Sequence, residues 1–192
     1  DTTRSDGLSC YGDVPGLLRD RGVVTPRLDT LAAEGARFEH FYSHAPTTLS
    51  SHASMLTGLD PHGHAIPRNG FPLPEGIPTL ATRLSEAGWD TIAVVGAKAL
   101  EQPMGLDRGF RVYDDEMSVV LGPMFQDRAE GVVDRVLTAV DAREDEGPLF
   151  LFAHFFDPHQ PYFAPDEWFD RFSEPTYDGP WKERKLLGKL RK

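Results

Sequence analysis

Apolar positions recur along this chain with two periods. Between Asp127 and Glu144, the residues Ala129, Val132, Val133, Val136, Leu137 and Val140 repeat at helical spacing and predict one helix. Gly147-Pro148 ends it, and "LFLFAHFF" follows as a nearly continuous apolar strand. The same alternation occurs earlier. "TLATRLSEAGWDTIAVVG" predicts a helix from about Thr79, a break at Gly88 and a buried strand through Ile92, Ala93, Val94 and Val95. "TPRLDTLAAEGARF" predicts a helix with Thr25 as cap, Pro26 in the first turn, Gly35 as stop, and Leu28, Leu31 and Ala32 on its apolar face. "RFEHFYS" alternates, which places Phe38, His40 and Tyr42 on one side of a strand. "SSHASMLTG" predicts a short helix that buries Met55 and Leu56. Short apolar strands separated by helices need helical crossovers, so the fold class is α/β, a mostly parallel sheet with helices on both faces. Past "FDPHQPYFAPDEWFDRF", residues 163–192 read as an irregular segment ending in a basic, solvated helix, "WKERKLLGKLRK".

Composition narrows the classes. The 192 residues, 40% hydrophobic, suffice for one sizeable core, and the whole chain is read as a single domain. A net charge of -10 argues against a broad nucleic-acid surface. The single cysteine, Cys10, excludes an internal disulfide framework, and no apolar run is long enough to span a membrane. The chain opens at Asp1 without methionine, which suggests a processed or truncated polypeptide; the compartment stays open.

In open parallel sheets, ligands sit beyond the carboxyl ends of the strands. Three segments lie there: "APTTLSSHASMLTG" after Ser43, "GAKAL" after Val95 and "HFFDPH" after Phe152; Asp1 would join them if a strand preceded it. A hydroxyl must be activated to act as a nucleophile. At the start of the short helix, Thr48 or Ser50 would face exposed N–H groups and a positive dipole end, where an anionic ester would rest. Capping and loop roles explain the same hydroxyls.

"DTTRSDGLSCYG", "TPRLDTLAAEGARFEHFYSHAPTTLSSHASMLTG", "GLDPHGHAIPRNG", "TLATRLSEAGWDTIAVVGA", "GLDRGFRVYDDEM" and "HFFDPHQPY", in this order, resemble the N-terminal part of the sulfatase family in the alkaline phosphatase superfamily. That family's nucleophile motif is Cys/Ser-x-Pro/Ala-Ser-Arg-x-x-x-Leu-Thr-Gly. Counting back from Leu56-Thr57-Gly58 puts Ser51 at its serine, His52 at its arginine, Ser50 at its Pro/Ala and Thr48 at the nucleophile. The resemblance implies catalytic roles for Thr48, His52 and His159, and metal ligation by Asp1 and Thr48. Arg68, Lys98 and His154 fall on the substrate side, although His154 also reads as a structural group at a strand end. His62, His64, Arg68 and Asn69 read as a hydrogen-bonded loop beside the site rather than a metal cluster.

Two departures carry chemistry. Thr2 stands where many sulfatases have a second aspartate, which removes one hard oxygen ligand. Threonine cannot be oxidised to the formylglycine of classical sulfatases, so Thr48 would attack directly, as in the superfamily's two-metal phosphodiesterases. The implied cofactor is a divalent metal, Ca in the sulfatase reading and Zn or Mn in the phosphoesterase reading. The expected partner is a small anionic ester, sulfuric or phosphoric, without nucleic acid or a membrane span, and the oligomeric state stays open. Nothing between Tyr162 and Lys192 resembles the family's later pair of metal ligands, so the chain is expected to be an incomplete portion, inactive alone. A phosphotransferase on the same fold and a noncatalytic anion-binding remnant are the alternatives.

Overall fold

The computed structural model describes residues 2–12, 25–117, 119–121, 124–144, 146–159 and 168. They fall into two compact units, one spanning Tyr42–Phe156 and one comprising the others. The irregular segment at 163–192 and its basic tail lie outside the described residues apart from Trp168, as does Asp1.

In the second unit, α1 (Pro26–Glu34) starts at Thr25 and stops at Gly35, as its local signals dictate. The Thr25 side chain does not cap the helix. It joins Ser9 and Asp29 in a hydroxyl–carboxylate network, in which Ser9 Oγ donates to Asp29 Oδ2 at 2.7 Å. Asp6 pairs with Arg4, a local structural role. Leu28 and Leu31 on the apolar face of α1 are 46% and 66% exposed. One expectation fails beside it. Residues 36–43 form no strand, and Phe38, Phe41 and Tyr42 stand exposed. Among the described residues no strand pairs with this segment, and an alternating pattern makes a strand only where a ladder partner is supplied.

The Tyr42–Phe156 unit contains α2 (Thr48–Thr57), α3 (Pro61–His64) and α4 (Leu80–Glu86), followed by β1 (Asp90–Val95). Thr79 caps α4 reciprocally: its Oγ1 accepts from Thr82 N–H at 3.1 Å, and Thr82 Oγ1 accepts from Thr79 N–H. β2 (Val112–Asp114), β3 (Val119–Leu121), β4 (Met124–Gln126), α5 (Ala129–Asp141) and β5 (Leu149–His154) complete it. β1 is central and parallel to both neighbours, with Ile92 opposite Val112 on one side and Leu151 on the other. Both α4 and α5 pack on β1. The fold is thus the α/β parallel arrangement expected. The pattern did not announce β2 or the antiparallel β3–β4 pair, because three-residue strands are too short to show a period.

Leu49, Ala53 and Leu56 project one stripe of α2 into a core with Ile66, Leu73, Val95, Leu100 and Leu106. That stripe leaves Met55 outside it and 51% exposed, contrary to the burial expected for the Met55–Leu56 pair. The amino end of α2 is thereby held by a buried helix face.

Candidate functional site

Thr48 is the first residue of α2, preceded by Thr47 in extended conformation at the cap position. One turn on, His52 bends back and donates from Nδ1 to the Thr48 carbonyl at 2.7 Å. A carbonyl only accepts, so Nδ1 carries the proton and Nε2 of the neutral ring is an acceptor. The His52 ring packs edge-on against His154, the last residue of β5, with centroids 4.9 Å apart, and against Phe152 at 5.9 Å. α2 therefore lies beyond the carboxyl end of the sheet, where the α/β rule places a ligand. The turn Lys98–Leu100, directly after β1, also packs on α2, and the Lys98 side chain is exposed.

Burial governs the charge here. It lowers the pKa of His52, against the opposing effect of the bond to the Thr48 carbonyl. Burial, with the neighbouring His52 second, pushes His154 down to about 3. Both imidazoles are neutral at pH 7. His52 thus supplies neither the fixed cation of the motif's arginine nor a spare N–H for a bound anion, because its one proton is spent on its own helix.

Ser50, Ser51 and Thr57 of the stretch are engaged. Ser50 is buried and donates to Ile66 O at 2.5 Å, so of the two candidates at the helix start, Thr48 and Ser50, Ser50 is a structural tie. Ser51 meets Ser43 at 2.9 Å, and Thr57 Oγ1 donates to Ala53 O at 2.6 Å. The loop after α2 is a hydrogen-bonded structure, as expected. Asp60 caps α3 through Gly63 N–H at 2.8 Å. The fully buried His64 accepts at Nδ1 from Ile66 N–H at 3.2 Å, which leaves Nε2–H to donate to Ser54 Oγ at 2.9 Å. Asn69 Oδ1 accepts from Leu49 N–H at 2.8 Å, a role with no local sequence signal because twenty residues separate the partners. Asp60-Pro61, an acidic cap before a first-turn proline, was readable in advance.

The structure thus brings Thr48, His52 and His154 together, with Lys98 on an adjoining turn. Arg68 lies in the exposed loop, its guanidinium 5.3 Å from the Phe71 ring centre. His159 is half-buried and belongs to the other unit. Among the described residues no three His, Cys, Asp or Glu side chains converge as a metal-binding group. Thr48 with two imidazoles does not by itself make the divalent centre implied for the family.

A family model described as Sulfatase matches residues 1–189. An arylsulfatase of Clostridium perfringens is 35% identical over 85 residues, covering 42% of this chain and 17% of that protein. An N-acetylglucosamine-6-O-sulfatase of Bacteroides thetaiotaomicron is 22% identical over 94% of this chain and 33% of its own length. Human N-sulphoglucosamine sulphohydrolase is 27% identical over 76% of this chain and 29% of its own length. The chain therefore spans about a third or less of these relatives. A solved structure in complex with its substrate D-glucosamine-2-N,6-O-disulfate superposes with a TM-score of 0.69 at 22% identity, over 92% of this chain and 37% of that one. A Vibrio parahaemolyticus protein of the alkaline phosphatase superfamily gives a TM-score of 0.58 at 18% identity, over 95% and 43%. With a family model matching nearly its whole length and an alkaline phosphatase-like α/β fold, this chain belongs to the sulfatase family.

Proposed function

We propose that this chain is the nucleophile-bearing part of a single sulfatase-type catalytic domain that hydrolyses a small anionic ester through Thr48. The observation that carries the reading is the place of Thr48, at the positive end of a core-anchored helix beyond the carboxyl end of the sheet. In the reaction, Thr48 Oγ loses its proton and bonds to the phosphorus or sulfur of the ester. The bond to the leaving oxygen breaks, and that oxygen takes up a proton as the alcohol departs. Water then cleaves the covalent threonine ester and restores the hydroxyl.

The names of the relatives support a sulfuric ester, with a sulfated sugar as the model substrate. The side chain supports a phosphoric one, because a sulfate held on threonine lacks the elimination route that an aldehyde hydrate provides. The divalent metal belongs to the reading, with Asp1 and Thr48 as its expected ligands on this chain; the described residues do not complete its site.

The test is turnover of 4-nitrophenyl sulfate and bis(4-nitrophenyl) phosphate by the chain and by its full-length gene product, with and without Ca, Zn or Mn. The chain alone is expected to be inactive, and turnover by it overturns that expectation. In the full-length product Thr48→Ala is expected to abolish turnover and Thr48→Ser to retain it, whereas a fully active Thr48→Ala overturns the nucleophile. An added alcohol acceptor that is phosphorylated would point instead to a phosphotransferase. The other reading, a noncatalytic anion-binding remnant, predicts sulfate or phosphate binding without turnover by either form.

A further inference from the structure

We infer that Asn69 is the cap of the Thr48 helix and, by fixing its first turn, a positioning residue for Thr48. The second half rests on the reading of Thr48 as nucleophile. An α-helix leaves its first N–H groups without internal partners, and the residue at the cap position ordinarily takes one. Thr47 holds that position in α2, yet its side chain makes no cap bond, and its buried Oγ1 has no hydrogen-bond partner among the described residues. Asn69 takes over the task from twenty residues away, its Oδ1 lying 2.8 Å from the Leu49 nitrogen, the peptide nitrogen bonded to the Thr48 carbonyl carbon.

The segment that delivers Asn69 is tied to the same helix at two further points. Ile66 O accepts from Ser50 Oγ at 2.5 Å, and His64 bonds Ser54 Oγ at 2.9 Å, both in buried surroundings. Asp60 fixes where the segment begins by capping α3. The clip thus runs alongside α2 and ends at its positive pole. The chemistry of the capping group matters there. An aspartate would accept the same bond and would be favoured by the helix dipole. It would also place a negative charge beside the hydroxyl that must meet an anionic ester. A neutral amide caps the turn without opposing the substrate.

The test uses the chain labelled for NMR. A through-hydrogen-bond coupling between the Leu49 amide nitrogen and the Asn69 side-chain carbonyl carbon is expected in the unsubstituted chain, and its absence overturns the cap whether or not any variant folds. Asn69→Ala is expected to speed Leu49 amide exchange about fivefold or more, the loss of one net hydrogen bond. Unchanged exchange overturns the cap.

Asn69→Asp is expected to keep that protection. It should weaken inorganic sulfate and phosphate binding, followed by the Thr48, Leu49 and Ser50 amide shifts, by up to about tenfold, the effect of one added charge on a dianion at roughly 6 Å in a water-like dielectric. Unweakened binding by Asn69→Asp overturns the positioning role. If the unsubstituted chain shows no anion-dependent shifts at these amides, the anion-site reading of Thr48 fails, and the coupling and exchange measurements still decide the cap.

Discussion

Asp90 opens the central strand, and its carboxylate is the junction of three elements. Oδ1 accepts from Arg111 Nε at 2.6 Å, just ahead of β2, and from Thr91 N–H at 2.8 Å. Oδ2 accepts from Arg111 Nη2 at 2.8 Å and from Arg143 Nε at 2.9 Å, just past α5. The Asp90 side chain is 8% exposed and that of Arg143 15%. The guanidinium of Arg111, with Arg143 adding to it, lowers the Asp90 pKa from 3.8 to about 2. At 1.36 kcal/mol per pKa unit, that difference sets an upper bound of about 2 kcal/mol of stability, because solvent screens the half-exposed Arg111. Because the folded-state value is depressed, this stability is fully present above the unfolded pKa of 3.8 and is lost as the pH falls through about 2. Asp90→Asn is therefore expected to cost about 1–2 kcal/mol at pH 7, or roughly 2–8 °C in Tm for a chain of this size. The cost should shrink steadily below pH 4, to about a third at pH 2.5, and vanish only near pH 1. Urea unfolding followed by circular dichroism at pH 7, 5, 3.5 and 2.5 measures it. His154 also titrates differently in the two states, but it is common to both proteins and cancels in the difference. An equal penalty at pH 7 and pH 2.5 would refute the electrostatic reasoning and leave only a packing role for Asp90.

Two further substitutions test the packing that positions the site. Gly109 has φ +84°, and a Cβ there would overlap the backbone of Ala81 and Thr82 in α4, so Gly109→Ala is expected to destabilise by about 3 kcal/mol or more, measured by urea unfolding; a change below about 0.5 kcal/mol contradicts the contact. His64→Ala removes a fully buried ring and strands Ser54 Oγ and the Ile66 N–H, for an expected loss of about 3 kcal/mol together with faster Ile66 amide exchange, whereas an unperturbed Ile66 amide would show that His64 is not the hub of the clip.

The sequence by itself determined the elements whose information is local. The apolar period of α5, the Thr79 cap and Gly88 break around α4, and the apolar runs of β1 and β5 are each decided by side chains within a few residues of one another. Thr48 was singled out by the family motif counted back from Leu56-Thr57-Gly58, and the structure starts α2 at it, two residues ahead of the predicted "SSHASMLTG". Only the tertiary structure decided which candidates share a site and what state they are in. Residues 36–43 carry a strand's alternation without a strand, because a ladder needs a neighbour that a pattern cannot supply. Met55 and Leu56 are equally apolar, and the stripe set by Leu49 and Ala53 chooses between them. The neutrality of His52 follows from its burial beside His154, over a hundred residues away, and the cap of the Thr48 helix comes from Asn69. Period and capping act over a few bonds of chain, whereas desolvation and hydrogen-bond partnership depend on which distant segments the fold brings within a few ångströms.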